Sequence, residues 1–245
     1  MATRLVNIVV ATANLRELAG FWSTLLGWPI ALDQPDEVDV RAPEEQGWLL
    51  DLVFDPIAEP KTVKNRIHLD LTSSSAADQA AIVERARDLG ARSVDIGQRG
   101  VPWEVMADPE GNEFCVLEPR EMYRDAGALA AVVVEAADPV ALAGFWVEAA
   151  GCHIGKVEGE KGEFIGLLAP NGRGPWLEFQ PENEPKAVKN RIHLDVAPYL
   201  DDDQAAEVAR LRGRGARSID IGQGQVPWEV MVDPDSNEFC VLTAR

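Results

Sequence analysis

Long apolar runs are missing from this 245-residue sequence. The apolar stretches are short and interrupted, and none approaches the ~20 residues that a membrane-spanning helix needs. The opening segment, MATRLVNIVVATANLRELAG, carries an arginine and then an apolar run of only about six residues, and a signal peptide needs a longer apolar core. That run reads as a first strand, so export is not expected and the expected location is cytoplasmic. Cysteine is scarce as well: Cys115, Cys152 and Cys240 are the three present. An odd count with no export signal argues for reduced thiols and against a disulfide framework. Positive charge is outweighed, with 23 Lys and Arg against 41 Asp and Glu and a formal net charge of −18. No basic stripe offsets that charge, so a phosphate backbone would be repelled; neither nucleic acid nor membrane is expected as a partner. A Gly-rich phosphate loop, a Cys-x-x-Cys pair and a Gly-x-Ser-x-Gly elbow are all absent, which leaves nucleotide binding, structural zinc and serine-hydrolase chemistry without support.

What is present is a repeat. Glu59-Pro-Lys-Thr-Val-Lys-Asn-Arg-Ile-His-Leu-Asp70 returns as Glu184-Pro-Lys-Ala-Val-Lys-Asn-Arg-Ile-His-Leu-Asp195. Ala91-Arg-Ser-Val-Asp-Ile-Gly-Gln98 returns at 216–223, Val101-Pro-Trp-Glu-Val-Met106 at 226–231, and Asn112-Glu-Phe-Cys-Val-Leu117 at 237–242. Ala19-Gly-Phe-Trp22 matches Ala143-Gly-Phe-Trp146. A period of about 125 residues is too long for a solenoid and has the size of a whole domain. Two tandem domains are therefore expected, 1–120 and 128–245, joined near Pro119–Gly127.

Each copy divides again. Leu5–Thr12 reads as a strand, and Leu15, Leu18, Ala19, Trp22, Leu25 and Leu26 fall on one helical face. Asn14 followed by Glu17 suggests a capping box, and Gly27 a helix stop; in the second copy Asp138-Pro139 starts the helix. Strands ending near Trp48–Phe54 and Trp176–Phe179 follow. The pattern then restarts with a strand at Arg66–Leu71, a helix at Ala76–Leu89 closed by Gly90, and strands near 92–96, 103–107 and 113–117. The reading is βαβββ, four times in the chain, an α+β fold.

The four modules, the Phe-Trp near the end of the first helix with Leu-Gly after it, and the Asp-Pro-x-x-Asn turn before a final strand resemble the vicinal oxygen chelate superfamily, which includes glyoxalase I, extradiol dioxygenases, fosfomycin-resistance enzymes and bleomycin-binding proteins. The Lys-Asn-Arg-Ile-His-Leu-Asp strand and the Asn-Glu-Phe-Cys-Val-Leu ending look like its glyoxalase-like branch. The resemblance implies two tandem domains, each of two βαβββ modules curling into an open eight-stranded cup with the ligand or metal inside. Modules in this superfamily pair either within a domain or by exchange between domains, and both remain open here.

The resemblance also implies four metal-ligand positions on strands. They fall on Asn7 and Ala131, on Val53 and Glu178, on His68 and His193, and on Cys115 and Cys240. Val53 and Ala131 cannot coordinate an ion, and Asn7 is a weak ligand. Pairing within a copy would place Glu178, His193 and Cys240 together, a set suited to zinc with one position open; exchange would join Glu178 with His68 and Cys115. A cysteine on a core strand is more often a small buried hydrophobe. The expectation is no cofactor, with at most one divalent ion such as zinc, held in one cup through Glu178 and His193.

Strand alternation puts Arg66, His68 and Asp70 on one face, and Arg191, His193 and Asp195 likewise. With the apolar face under the helices, these rows face the cup, either as ligand contacts or as satisfied structural polar groups. Cys115 and Cys240 are candidate nucleophiles, which would require a lowered thiol pKa. Trp103, Trp228, Trp48 and Trp176 are candidates for lining a pocket, with core packing the competing role for each. The expected function is binding of a small organic ligand in the cup, in the manner of sequestration or resistance proteins, by a monomer or homodimer. The alternative is a lyase or isomerase, metal-dependent through Glu178 and His193, or metal-free through His68, His193, Cys115 and Cys240.

Overall fold

The computed structural model describes residues 3–46, 48, 50–159 and 164–245. Four modules follow one another. The first contains β1 (Thr3–Thr12), α1 (Leu15–Leu26), β2 (Ile30–Asp33), β3 (Val38–Arg41) and β4 (Asp51–Pro56). The second contains β5 (Ile67–Leu71), α2 (Ala76–Asp88), β6 (Arg92–Ser93), β7 (Glu104–Ala107) and β8 (Glu113–Val116). The third contains β9 (Leu129–Ala136), α3 (Pro139–Ala150), β10 (His153–Glu158), β11 (Phe164–Leu168) and β12 (Trp176–Pro181). The fourth contains β13 (Ile192–Pro198), α4 (Gln204–Gly213), β14 (Arg217–Ser218), β15 (Glu229–Val232) and β16 (Glu238–Val241). No helix among the described residues is long and apolar enough to cross a membrane.

The strands form two eight-stranded sheets, in the orders β14-β15-β16-β13-β1-β4-β3-β2 and β10-β11-β12-β9-β5-β8-β7-β6. Each sheet is two modules, and the two come from different copies of the repeat. The first sheet joins modules one and four through antiparallel β1 and β13, where Val9 faces His193 and Asn7 faces Asp195. The second joins modules two and three through β5 and β9, where His68 faces Val133 and Asp70 faces Ala131. Of the two pairings left open by the sequence, the exchanged one is present.

Helix α1 forms where its apolar spacing predicts, burying Leu18, Ala19, Phe21, Trp22, Leu25 and Leu26, and Gly27 ends it in the left-handed conformation at φ 69°. The expected capping box is not made, because Asn14 caps nothing with its side chain. Instead Glu110, from the turn before β8, accepts from the backbone N–H of Ala13 and of Asn14. In α3 the expected start holds: Asp138 accepts from the Ala141 N–H, with Pro139 in the first turn.

One contiguous apolar core runs through all four modules. Ile8, Val10, Leu52, Phe54, Leu69 and Leu71 supply it from alternate strand positions, and each such side chain contributes roughly 1.5–3 kcal/mol when fully buried. Phe21, Trp22 and Phe114 stack edge to face, as do Phe145, Trp146 and Phe239. Trp22 Nε1 donates to Asp108 and Trp146 Nε1 to Asp233. A helix from one sheet is thereby tied to a turn of the other, so each copy of the repeat clamps both sheets even though it completes neither.

Candidate functional site: two unequal cups

The residues between those core positions face the concave side of each sheet. At the centre of the first cup, His193 Nε2 lies 3.4 Å from Asp195 Oδ1 and 3.8 Å from Cys240 Sγ. At the centre of the second, His68 Nε2 lies 3.6 Å from Asp70 Oδ1, with Cys115 beside them. Each group offers three ligand atoms within 4.8 Å of one another, a set that can hold a metal ion. Burial pushes the Asp70 carboxyl up to about 7 and the His68 imidazole down to about 4. Burial, and then the adjacent aspartate, push both Cys115 and Cys240 thiols far above their ordinary range. That is the direction opposite to the one a nucleophilic thiolate needs.

The walls differ. Strand registers make Asn7, Val53, Asp51, Asp55 and Asp39 of the first cup equivalent to Ala131, Glu178, Trp176, Gln180 and Gly166 of the second. The first cup is therefore acidic. Asp39 is buried, 9% exposed, and its Oδ1 has no hydrogen-bond partner. Burial, followed by Glu37 and Asp51, raises Asp39 to about 7, while Arg41, paired to Asp51, lowers it only in part. Burial lifts Asp55 to about 6. Asp195 is 5% exposed; Asn7 Nδ2 donates to its Oδ2, while its Oδ1 faces His193 and accepts no hydrogen bond.

The second cup is filled by the chain itself. Gly155 and Gly166 make room for the Trp176 ring, and a Cβ on Gly166 would stand 2.6 Å from it. The segment that joins the two copies, near Pro119–Gly127, contains a one-turn helix, Glu121–Tyr123, that enters this cup. Tyr123 Oη donates to Glu178 at 2.8 Å, and Trp176 Nε1 donates to the Met122 carbonyl. Arg120 covers the faces of Trp103 and Tyr123. Glu178 is 2% exposed, and burial, then the Asp70 charge, raise it to about 8. Sequence reasoning missed Tyr123, Asp39 and Asp55. The aspartates that stand where the other copy has Gly166 and Gln180 were the available signal for Asp39 and Asp55, and nothing in the composition of the linker marks Tyr123.

The other expected residues separate by place. Glu178 and His193 lie in different sheets, so the metal pair expected from them is not assembled; exchange puts Glu178 with His68, Asp70 and Cys115. Arg66 and Arg191 leave the cups: Arg66 donates to the carbonyls of Glu184 and Glu135 and pairs with Asp235, and Arg191 donates to the Glu59 carbonyl. Trp48 belongs to the main core and Trp176 to the second cup. Trp103 is half-buried with Nε1 on Gln98, and Trp228 is 39% exposed.

The family model for the glyoxalase-like domain matches residues 7–117 and 131–242. The chain belongs to this family. Among solved structures, maize (Zea mays) glyoxalase I is similar over 99% of this chain and 92% of its own, with 14% identity and a TM-score of 0.67. A putative dioxygenase from Bacillus subtilis subsp. subtilis strain 168 is similar over 99% of this chain and 86% of its own, at 13% identity and TM-score 0.64. At such identity the likeness is one of fold, that of the vicinal oxygen chelate superfamily. No curated protein sequence matches this chain.

Glyoxalase-like folds imply a metal on four strand positions, and neither cup supplies all four, although each keeps its His, Asp and Cys group. Val53 in the first cup and Ala131 in the second bring no donor, Asn7 is spent on Asp195, and Glu178 is engaged by Tyr123.

Proposed function

We propose that this glyoxalase-like protein binds one small organic molecule per chain, in the first cup, and that the ligand carries a positively charged nitrogen. The observation that carries this is the contrast between the cups: one is filled by Tyr123 and Trp176 and keeps a single aspartate oxygen without a hydrogen bond, on Asp70, while the other is walled by Asp39, Asp51 and Asp55 beside Asp195 and keeps two such oxygens, on Asp39 and Asp195. A buried carboxylate oxygen without a donor is costly. An ammonium or amidinium group supplies both the donor and the opposing charge. His193 and Trp228 then offer a polar contact and an exposed aromatic face at the rim.

The probe that tests this is benzamidine, with neutral benzamide as its isostere. Benzamidine should raise the melting temperature saturably and bind once per chain by calorimetry, and Asp39→Asn and Asp195→Asn should each weaken it about tenfold. Equal binding of benzamide, or indifference to both substitutions, would sink the proposal.

The enzyme reading rests on the His193–Asp195 pair, a spacing from which an oriented imidazole can act as a base. It is distinguished by turnover: His193→Ala should cost an enzyme orders of magnitude in kcat/KM, while a binder loses only affinity.

A further inference from the structure

Outside both cups, the two repeated loops face each other. Residues 57–66 and 182–191 line a cleft of about 700 Å³. Ligand pockets are typically roughly 300–1,000 Å³, so the volume suits a small organic molecule. Ile57, Val63, Val188 and Ile221 give it an apolar lining, and the last three are among the large hydrophobic side chains left exposed.

Its charges follow the repeat with one break. Arg66 and Arg191 each reach across to a loop carbonyl of the other copy, and the Nε of each is buried without a partner. Lys61 pairs with Glu113 and Lys186 with Glu238. Lys64 is held by Glu135 and Glu182. Its counterpart Lys189 forms no ion pair among the described residues; Asp55, in the first cup, is the carboxyl that feels its charge. The strand registers give the reason. The positions equivalent to Glu135 and Glu182 are Ala11 and, one residue past β4, Ile57. One end of the cleft therefore carries a carboxylate pair around its lysine. The other carries a lysine with no ion pair among the described residues, beside apolar side chains. Glu135 Oε2 also lacks a partner, which makes the Lys64 end repel a second anion.

We propose that this cleft is a second ligand site, separate from both cups, for a small amphipathic anion: a carboxylate or sulfonate at Lys189, with its apolar body along Ile57, Val188 and Ile221. The ligand supplies the negative charge that Glu135 and Glu182 supply on the other side, and the exposed aliphatic side chains lose their contact with water.

The test uses the full chain and anilinonaphthalene sulfonate, whose fluorescence rises in apolar sites. Saturable uptake of one probe per chain is expected, with displacement by decanoate and none by decanol at the same concentration. Lys189→Glu should weaken the probe at least about tenfold. Ile57→Glu should do the same, because it builds in the carboxylate that the other copy already has; the equivalent Glu182 shows that the position accepts it. Asp195→Asn in the first cup should leave the probe's affinity within about twofold, which separates this site from the proposed cation site. Circular dichroism and melting temperature establish that each variant is folded, and Lys189→Gln, which removes only the charge, substitutes for any that is not. Probe binding indifferent to the folded substitutions, displacement by decanol as effective as by decanoate, or no saturable binding would each overturn the proposal.

Discussion

Val53 and Glu178 occupy equivalent strand positions in the two cups, and they place opposite demands on their surroundings. Valine needs only contact. A buried glutamate needs a donor, and Tyr123 supplies it. Tyr123→Phe should therefore destabilise the protein by about 1–3 kcal/mol, the penalty for leaving a buried acceptor unmet, read from the urea midpoint. A change below ~0.5 kcal/mol would show that the contact does not hold the linker in the cup. Gly166 makes the same point sterically. Its Cβ would stand 2.6 Å from the Trp176 ring, so Gly166→Ala should cost about 1–3 kcal/mol through overpacking. An unchanged midpoint would mean that the ring moves freely in the cup.

At the scale of elements, the helices were legible from their apolar spacing, because burial of one face dominates their stability. Their caps were less so. The Asn14-x-x-Glu17 pattern is present, but the Asn14 N–H that Glu17 would take in a capping box goes to Glu110 instead, together with the Ala13 N–H and the Thr12 hydroxyl. A local motif competes with any carboxylate that the tertiary fold brings near. Glu110→Ala should thus cost about 0.5–2 kcal/mol, the size of a lost helix cap, whereas Asn14→Ala should cost less than ~0.5 kcal/mol. Chemical denaturation of the two variants decides, and the reverse order would restore the local cap.

For the whole molecule, the exchange of modules has two measurable consequences. Neither copy of the repeat completes a sheet, so 1–120 and 128–245 produced separately should each leave β1 and β5, or β9 and β13, without their partners. Co-expressed, they should associate into a stable one-to-one complex in light scattering; two independently folded monomers would contradict the exchange. The second consequence is the pH dependence of stability. Burial raises Glu178 to about 8, Asp39 and Asp70 to about 7, and Asp55, Asp108 and Asp233 to about 6. The unfolded chain loses those protons near pH 4, so the folded state binds more protons above that and stability falls as pH rises towards each folded value. His68, lowered to about 4, works in the other direction but only below its ordinary 6.5. Between pH 6.5 and 8 Glu178, Asp39 and Asp70 are the carboxyls still losing protons in the folded state, with His68 no longer opposing them, and the melting temperature should fall across that window. A rise would mean that these carboxyls are ionised in the folded protein.

The sequence by itself determined the modules, the repeat, the acidic charge and the polar rows His68–Asp70 and His193–Asp195, because period-two alternation on half-buried strands leaves little freedom about which side chains face a core. It did not determine which modules share a sheet. The facing edges of β1, β5, β9 and β13 are alike enough that either pairing satisfies the same alternation. Only the tertiary structure decided that Glu178 shares a cup with His68 and not His193, that Arg66 and Arg191 leave the cups for loop carbonyls, and that the linker enters one cup. Each of these depends on contacts between residues far apart in the chain, which local patterns of charge and hydrophobicity do not encode.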